Sequence, residues 1–248
     1  GLACAPGKQE VKTLDVSLSV DRVNKKIRVF GDRHWIDGRI SEPAPFQTMP
    51  MVYEKAFGGT HLVDGAVDSA EQRNPLGCGY AGNRTSAQMN GVPLPNLEDP
   101  QCLIRQHSDT PMPACFAFIA PAWQPRAQYA GTYDEAWQTG RAPFLPKDFD
   151  SRFFSMAHPD LACGGYLQGG ESVSISGMHP AGELNFNLPQ LKLISQFKHD
   201  GRKTNVNFNL ETLILEPNLL QLGMVWKAAY PCDRNALKIE EIIVSLRN

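Results

Sequence analysis

The sequence predicts a mainly β protein, either a β-sandwich or curved antiparallel sheets, with long ordered loops and a few short helices. Three observations carry this reading. From Glu171 onward, short apolar runs recur with turn signals between them, at intervals of about 8–12 residues, which suits antiparallel strands. Near the other end, Leu14, Val16, Leu18 and Val20 alternate with polar residues, the period of a half-buried strand. The 21 glycines and 19 prolines of the 248 residues follow no period and so mark turns and loops rather than a fibrous or low-complexity chain.

The elements follow in order. Leu14–Val20 reads as a strand, Arg22–Lys25 as a turn and Lys26–Gly31 as a second strand, a hairpin. From Ser41 to Gly59 the prolines at 43, 45 and 50 impose extended backbone, and Gly58-Gly59 permits positive φ. Glu54 and Lys55, between Tyr53 and Phe57, read as one short helical turn or a strand end. Residues 60–115 are loop-rich, an uncommon length unless the loop is functional or contains short elements. Thr132–Gly140 suits a short helix with Thr132 as N-cap and Glu135 as its capping-box partner, and Asp150–Ala157 suits another with Asp150 as N-cap. The β-rich end offers strands at 171–176, 183–188, 191–198, 203–209, 211–216, 219–229 and 238–246, the last also compatible with a helix. The chain reads as a single domain over 1–248, with a loop-rich half at 1–165 and a β-meander half at 166–248.

Composition excludes several classes. A net charge of −2 gives no broad electrostatic footprint for nucleic acid. No apolar run approaches the roughly 18 residues of a membrane span, so no membrane insertion is expected. The six cysteines form no CxxC pair and are widely spaced, which favours reduced thiols over a zinc ribbon. The six histidines show no i, i+4 or HxH spacing, so no local metal site is visible. GxSxG, Walker A and complete dinucleotide loops are absent. A Cys163–His158 pair reads more simply as a small buried Cys and a turn His.

The densest chemistry lies between Trp123 and Phe154, where eight aromatic rings mix with arginines and aspartates. Prolines and glycines prevent a long helix there, so the segment reads as an irregular, packed connector, its rings anchored to the core and its charges satisfying backbone and one another. Asp134, Asp148 and Asp150 among aromatics resemble paired carboxylates of carbohydrate-processing sites. The neighbouring Arg126, Arg141 and Arg152 favour fixed ion pairs instead. Glu98 is expected to accept from backbone amides or an arginine.

Six motifs in order carry a resemblance: GDRHW (31–35), PFQTMPMVYEKAFGG (45–59), NPLGCGY (74–80), LPNLEDP (94–100), AGTYDEAWQTGRAPFLPKDFDSRFF (130–154) and YLQGGESVSISGMHPAGELNFNLP (166–189). Together they resemble the DUF2169 family, associated with type VI secretion gene clusters. The resemblance implies a bacterial, cytoplasmic, non-catalytic adaptor or chaperone that escorts a secreted effector to the VgrG/PAAR spike. It implies no catalytic residue, no cofactor and no metal. Family members usually carry a further segment before the stretch matching GLACAPG, so the resemblance implies that this chain is the C-terminal part of the family domain. The alternative is a carbohydrate-active enzyme or glycan-binding module using Asp134, Trp137 and Asp148; a weaker one is a structural piece of the secretion machine. The structural and interaction candidates are Arg33, Trp35, Glu54, Phe57, Glu98, Trp123, Arg126, Tyr133, Asp134, Trp137, Asp148, Asp150 and Arg152.

Overall fold

The computed structural model describes residues 1–232 and 236–246. Ten strands carry the architecture: β1 (Thr13–Val20), β2 (Val23–Phe30), β3 (Leu97–Glu98), β4 (Ser172–Ser176), β5 (Leu184–Asn187), β6 (Leu193–His199), β7 (Arg202–Asn207), β8 (Asn209–Glu216), β9 (Gln221–Lys227) and β10 (Ile239–Leu246). The central sheet runs β3-β2-β1-β4-β5, all antiparallel. A second sheet runs β7-β6-β10, and β8 and β9 form a separate hairpin. The protein is therefore mainly β, built of several antiparallel sheets joined by ordered loops. β4 pairs with β1, Val173 facing Val20, so the central sheet draws strands from both halves of the chain.

The core follows from strand alternation. Val16 and Val20 of β1, Ile27 and Val29 of β2, Leu97 of β3, and Val173 and Ile175 of β4 share the buried face, with Met49, Met51, Tyr53, Cys115 and Ile119 from loops. Leu213, Leu215, Leu222, Met224 and Trp226 of the β8–β9 hairpin pack against this core. A smaller cluster gathers Trp35, Phe57, Met89, Leu94 and Ile104.

The first hairpin corrects the sequence reading. Val20 faces Val23, so the turn is Asp21–Arg22, with Asp21 at φ 51°, and not Arg22–Lys25. Lys25 lies within β2 and is buried on the same face as Ile27 and Val29. A lysine in a core-facing position hid the start of the strand from a hydrophobic period. The helix between 132 and 140 also starts later than expected. It spans Glu135–Gly140, and its cap is Asp134, whose Oδ1 accepts from Trp137 N at 2.8 Å. Thr132 instead donates to Asp148. Asp150 is an N-cap, as expected, but of a single 3-10 turn, Ser151–Phe154, that stops short of the helix expected to Ala157. Residues 53–55 form one 3-10 turn, and 239–246 is a strand because it finds a partner in β6. The long loop region contains a hairpin of Thr60–Val63 with Ala66–Ala70, which periodicity did not expose.

Candidate functional site

Four of the quoted motifs meet in one knot beside the smaller core. Leu94 N donates to Arg33 O at 2.9 Å, Asn96 N to Lys55 O at 2.8 Å, and Phe30 N to Asn96 O at 2.8 Å. Phe57–Gly58 and Cys78–Gly79 form a short parallel pair. Asn74 Nδ2 donates to Tyr53 O and Phe57 O at 2.7 and 3.0 Å, stapling two motifs with one amide. Gly58 sits at φ 149°, and a Cβ there would meet Asn74 O at 2.1 Å. A side chain would thus push the two motifs apart.

An ion pair crosses the knot. Arg33 Nη2 donates to Glu98 Oε1 and to Pro95 O, and the guanidinium lies over the Phe30 ring, 3.6 Å from its centroid. Glu98 Oε2 accepts from Ile104 N at 2.7 Å. Both side chains are buried, so burial pushes the Glu98 carboxyl above its usual range, against the pull of Arg33. A cleft of about 260 Å³ opens above, lined by Asp32, His34, Glu54, Lys55 and Cys78. Two of its charges are tied to each other: Lys55 Nζ lies 3.6 Å from Asp32 Oδ1, and Asn96 Nδ2 donates to the same oxygen. Those contacts hold the Asp32 carboxyl below the usual range, the Asn96 hydrogen bond foremost. Burial pushes the Cys78 thiol up to about 11, so it is no nucleophile at neutral pH.

The segment from Trp123 to Phe154 uses the same chemistry on the surface. Arg126 donates to Phe153 O at 2.7 Å and Ile119 O at 2.8 Å, and Arg141 to Leu145 O at 2.8 Å. Arg152 pairs with Asp150 and stacks on Tyr129, 4.2 Å from its centroid. Asp148 accepts from Thr132 N at 3.0 Å and Oγ1 at 2.7 Å. Hydrogen bonds from Thr132 lower the Asp148 carboxyl, and those from Arg152 lower that of Asp150. Neither suits a general acid. Only part of the expected anchoring by rings is found. Trp123 packs on the core, edge-on to Tyr53 at 5.4 Å. Tyr133, Phe144 and Phe154 are about half exposed, as is Leu145. The reason is that the segment satisfies its own backbone: Trp137 Nε1 donates to Phe144 O at 2.8 Å, and Tyr133 packs edge-on to Trp137.

A family model described as an uncharacterized protein conserved in bacteria, DUF2169, matches residues 1–227. The chain belongs to the DUF2169 family. No curated protein and no solved structure matches it.

Within this DUF2169 chain, the candidate residues divide sharply. Arg33, Trp35, Phe57 and Glu98 are buried and hold the knot together, so their side chains offer almost no surface. Glu54 is exposed at the cleft rim. Tyr133, Asp134, Asp148 and Arg152 are exposed, and Trp123, Arg126, Trp137 and Asp150 are half-buried beneath or beside them. Among the described residues, His, Cys, Asp and Glu do not gather into groups that could hold a metal ion, and no helix is long and apolar enough to cross a membrane. All six cysteines are free thiols.

Sequence reasoning missed one polar cluster, in which buried Lys25 and His158 meet an exposed Asp160. Lys25 Nζ lies 3.5 Å from Asp160 Oδ2, and His158 Nδ1 lies 3.3 Å from the same oxygen. His158 is a turn residue as expected, capping the 3-10 turn Pro159–Leu161, and it is buried, while Cys163 is exposed and not the small buried Cys expected. Burial, with the Lys25 charge beside it, holds the His158 imidazole down to about 4. Burial also brings Lys25 down to about 8, against the pull of Asp160. The only sequence signal was the period-2 position of Lys25, two residues before Ile27 on the same strand face.

Proposed function

We propose that this chain is a non-catalytic adaptor that binds an effector of a type VI secretion system in the bacterial cytoplasm and helps load it onto the VgrG/PAAR spike. Two things support the reading. Six ordered motifs resemble a family associated with those gene clusters. The 123–154 segment presents Tyr133, Phe144, Leu145 and Phe154 to solvent on a backbone pinned by arginine–carbonyl and aspartate–amide hydrogen bonds. That surface carries the proposal. Rigid, exposed aromatic side chains lose little conformational entropy on binding, which is why they dominate interface energetics. The carboxylates of the same segment are occupied by hydrogen-bond donors, an arrangement that serves a docking face better than acid–base work.

The test is a pull-down with the tagged full chain from cells expressing the effector and the spike protein of the same gene cluster. Both are expected to co-purify, and Phe144→Ser together with Tyr133→Ser is expected to release the effector while circular dichroism is unchanged. Effector secretion that proceeds undiminished after deletion of the gene would overturn the proposal.

A further inference from the structure

The sheet β7-β6-β10 has an open side. β10 pairs with β6 along its inner edge, from Leu193 facing Leu246 to Lys198 facing Glu241. Among the described residues no strand lies on its outer edge. In an antiparallel ladder alternate N–H and C=O groups point to each side, so that edge presents a row of unpaired donors and acceptors. Natural edges are blunted by charge, proline or a bulge. Here the one register shift is at Lys198/His199, opposite the start of β10. The run Ile242-Ile243-Val244-Ser245-Leu246 has neither charge nor proline. Ile242, Ile243, Val244 and Leu246 are all exposed, at 43 to 60%.

Charge placement selects the occupant. Both glutamates of β10 sit at its first end, where Lys198 Nζ holds Glu240 at 2.5 Å and Gly201 N donates to it at 2.7 Å. The other end, from Ile242 to Leu246, carries no charge of its own, and Arg247 follows it in the sequence. A parallel, in-register copy would stack glutamate on glutamate, whereas an antiparallel copy sets each acidic end against the end that leads into Arg247. We propose that β10 is a dimerisation edge, on which a second copy of this chain pairs antiparallel about a two-fold axis through Ile243. Residues facing one another in an antiparallel ladder share a sheet face, so a symmetric pair must centre on a single residue. Centred on Ile243, Ile242 faces Val244, Glu241 faces Ser245 and Glu240 faces Leu246. The two sheets become one, and the apolar edge is removed from water. The contact is isologous, so it closes at two copies.

Light scattering on the full chain in solution tests this. The expected mass is that of two chains, and Val244→Lys, which sets a charge opposite Ile242 of the copy, is expected to give the single-chain mass with an unchanged far-ultraviolet spectrum. Register is read separately, in a chain with Cys102, Cys163 and Cys232 replaced by Ser. Oxidation with copper phenanthroline is expected to cross-link Ile243→Cys, whose facing Cα separation of roughly 4.5–5.5 Å suits a disulfide. Ser245→Cys, facing Glu241, is expected to stay uncross-linked. A wild-type chain of single mass, a dimer indifferent to Val244→Lys, or equal cross-linking of the two cysteine variants overturns the proposal. So does hydrogen-exchange protection of β10 that appears only when the effector is added, which would assign the edge to a client strand.

Discussion

The knot around Arg33 and Glu98 and the segment from Trp123 to Phe154 are built from the same parts: guanidinium groups, carboxylates, rings and carbonyls. Burial separates them. In the knot, the Arg33 and Glu98 side chains have lost water and depend on one another, and their hydrogen bonds together with those of the Asn74 amide hold the motifs in one arrangement. In the segment, the same kinds of bond are made in contact with solvent. There they pin a loop without carrying much stability, and they leave rings facing outward. One inventory thus serves as a clamp inside and as a presentation frame outside.

The largest expected effect breaks the clamp. Glu98→Ala leaves the Arg33 charge buried without its carboxylate and Ile104 N without its acceptor, and should destabilise the protein by about 3–5 kcal/mol. Urea unfolding measures this, and a loss like that of a surface ion pair would put Glu98 with the segment rather than the knot.

The next test applies the burial argument to His158. Its folded-state value of about 4 lies below the ordinary 6.5, so between those values the unfolded chain binds the proton and the folded chain does not. Stability from this group is fully present above pH 6.5 and falls as pH drops towards 4, by on the order of 3 kcal/mol. Unfolding midpoints across that window, compared with His158→Gln, should show the variant with the shallower slope. Parallel curves would mean that His158 is hydrated. Lys25 acts in another window, since its folded value of about 8 is below the ordinary 10.5. Lys25→Met should therefore stabilise the protein at neutral pH, with a gain that shrinks as pH rises from 8 towards 10.5.

Smaller effects belong to the segment. Asp134→Ala removes the cap of the Glu135–Gly140 helix and should lower stability by about 1 kcal/mol, read by thermal unfolding. Phe144→Ser, at an exposed ring, should change it by less than about 0.5 kcal/mol while weakening effector capture. A large stability loss there would mean that the ring is structural, and the contrast between the two regions would collapse.

Much of the β-rich half was legible. The strands expected at 171–176, 183–188 and 191–198 lie at 172–176, 184–187 and 193–199, because alternation and turn residues act locally. The Asp150 cap was legible for the same reason. Three things were not. The Lys25 position looked like a turn, since a buried lysine carries no hydrophobic signal. The exposure of Tyr133, Phe144 and Phe154 was hidden because an aromatic ring reads as core until its surroundings are known. The Arg33–Glu98 pair, 65 residues apart, left only the expectation that Glu98 would find some donor.

By itself the sequence determined the mainly β class, most C-terminal strands and the family, because each rests on neighbours in the chain or on ordered motifs. Only the tertiary structure decided which charges were clamped inside, which rings faced water and which strand was left with an open edge. Those outcomes depend on what residues far apart in sequence bring next to one another, and desolvation, which sets their energies, is a property of the assembled surroundings.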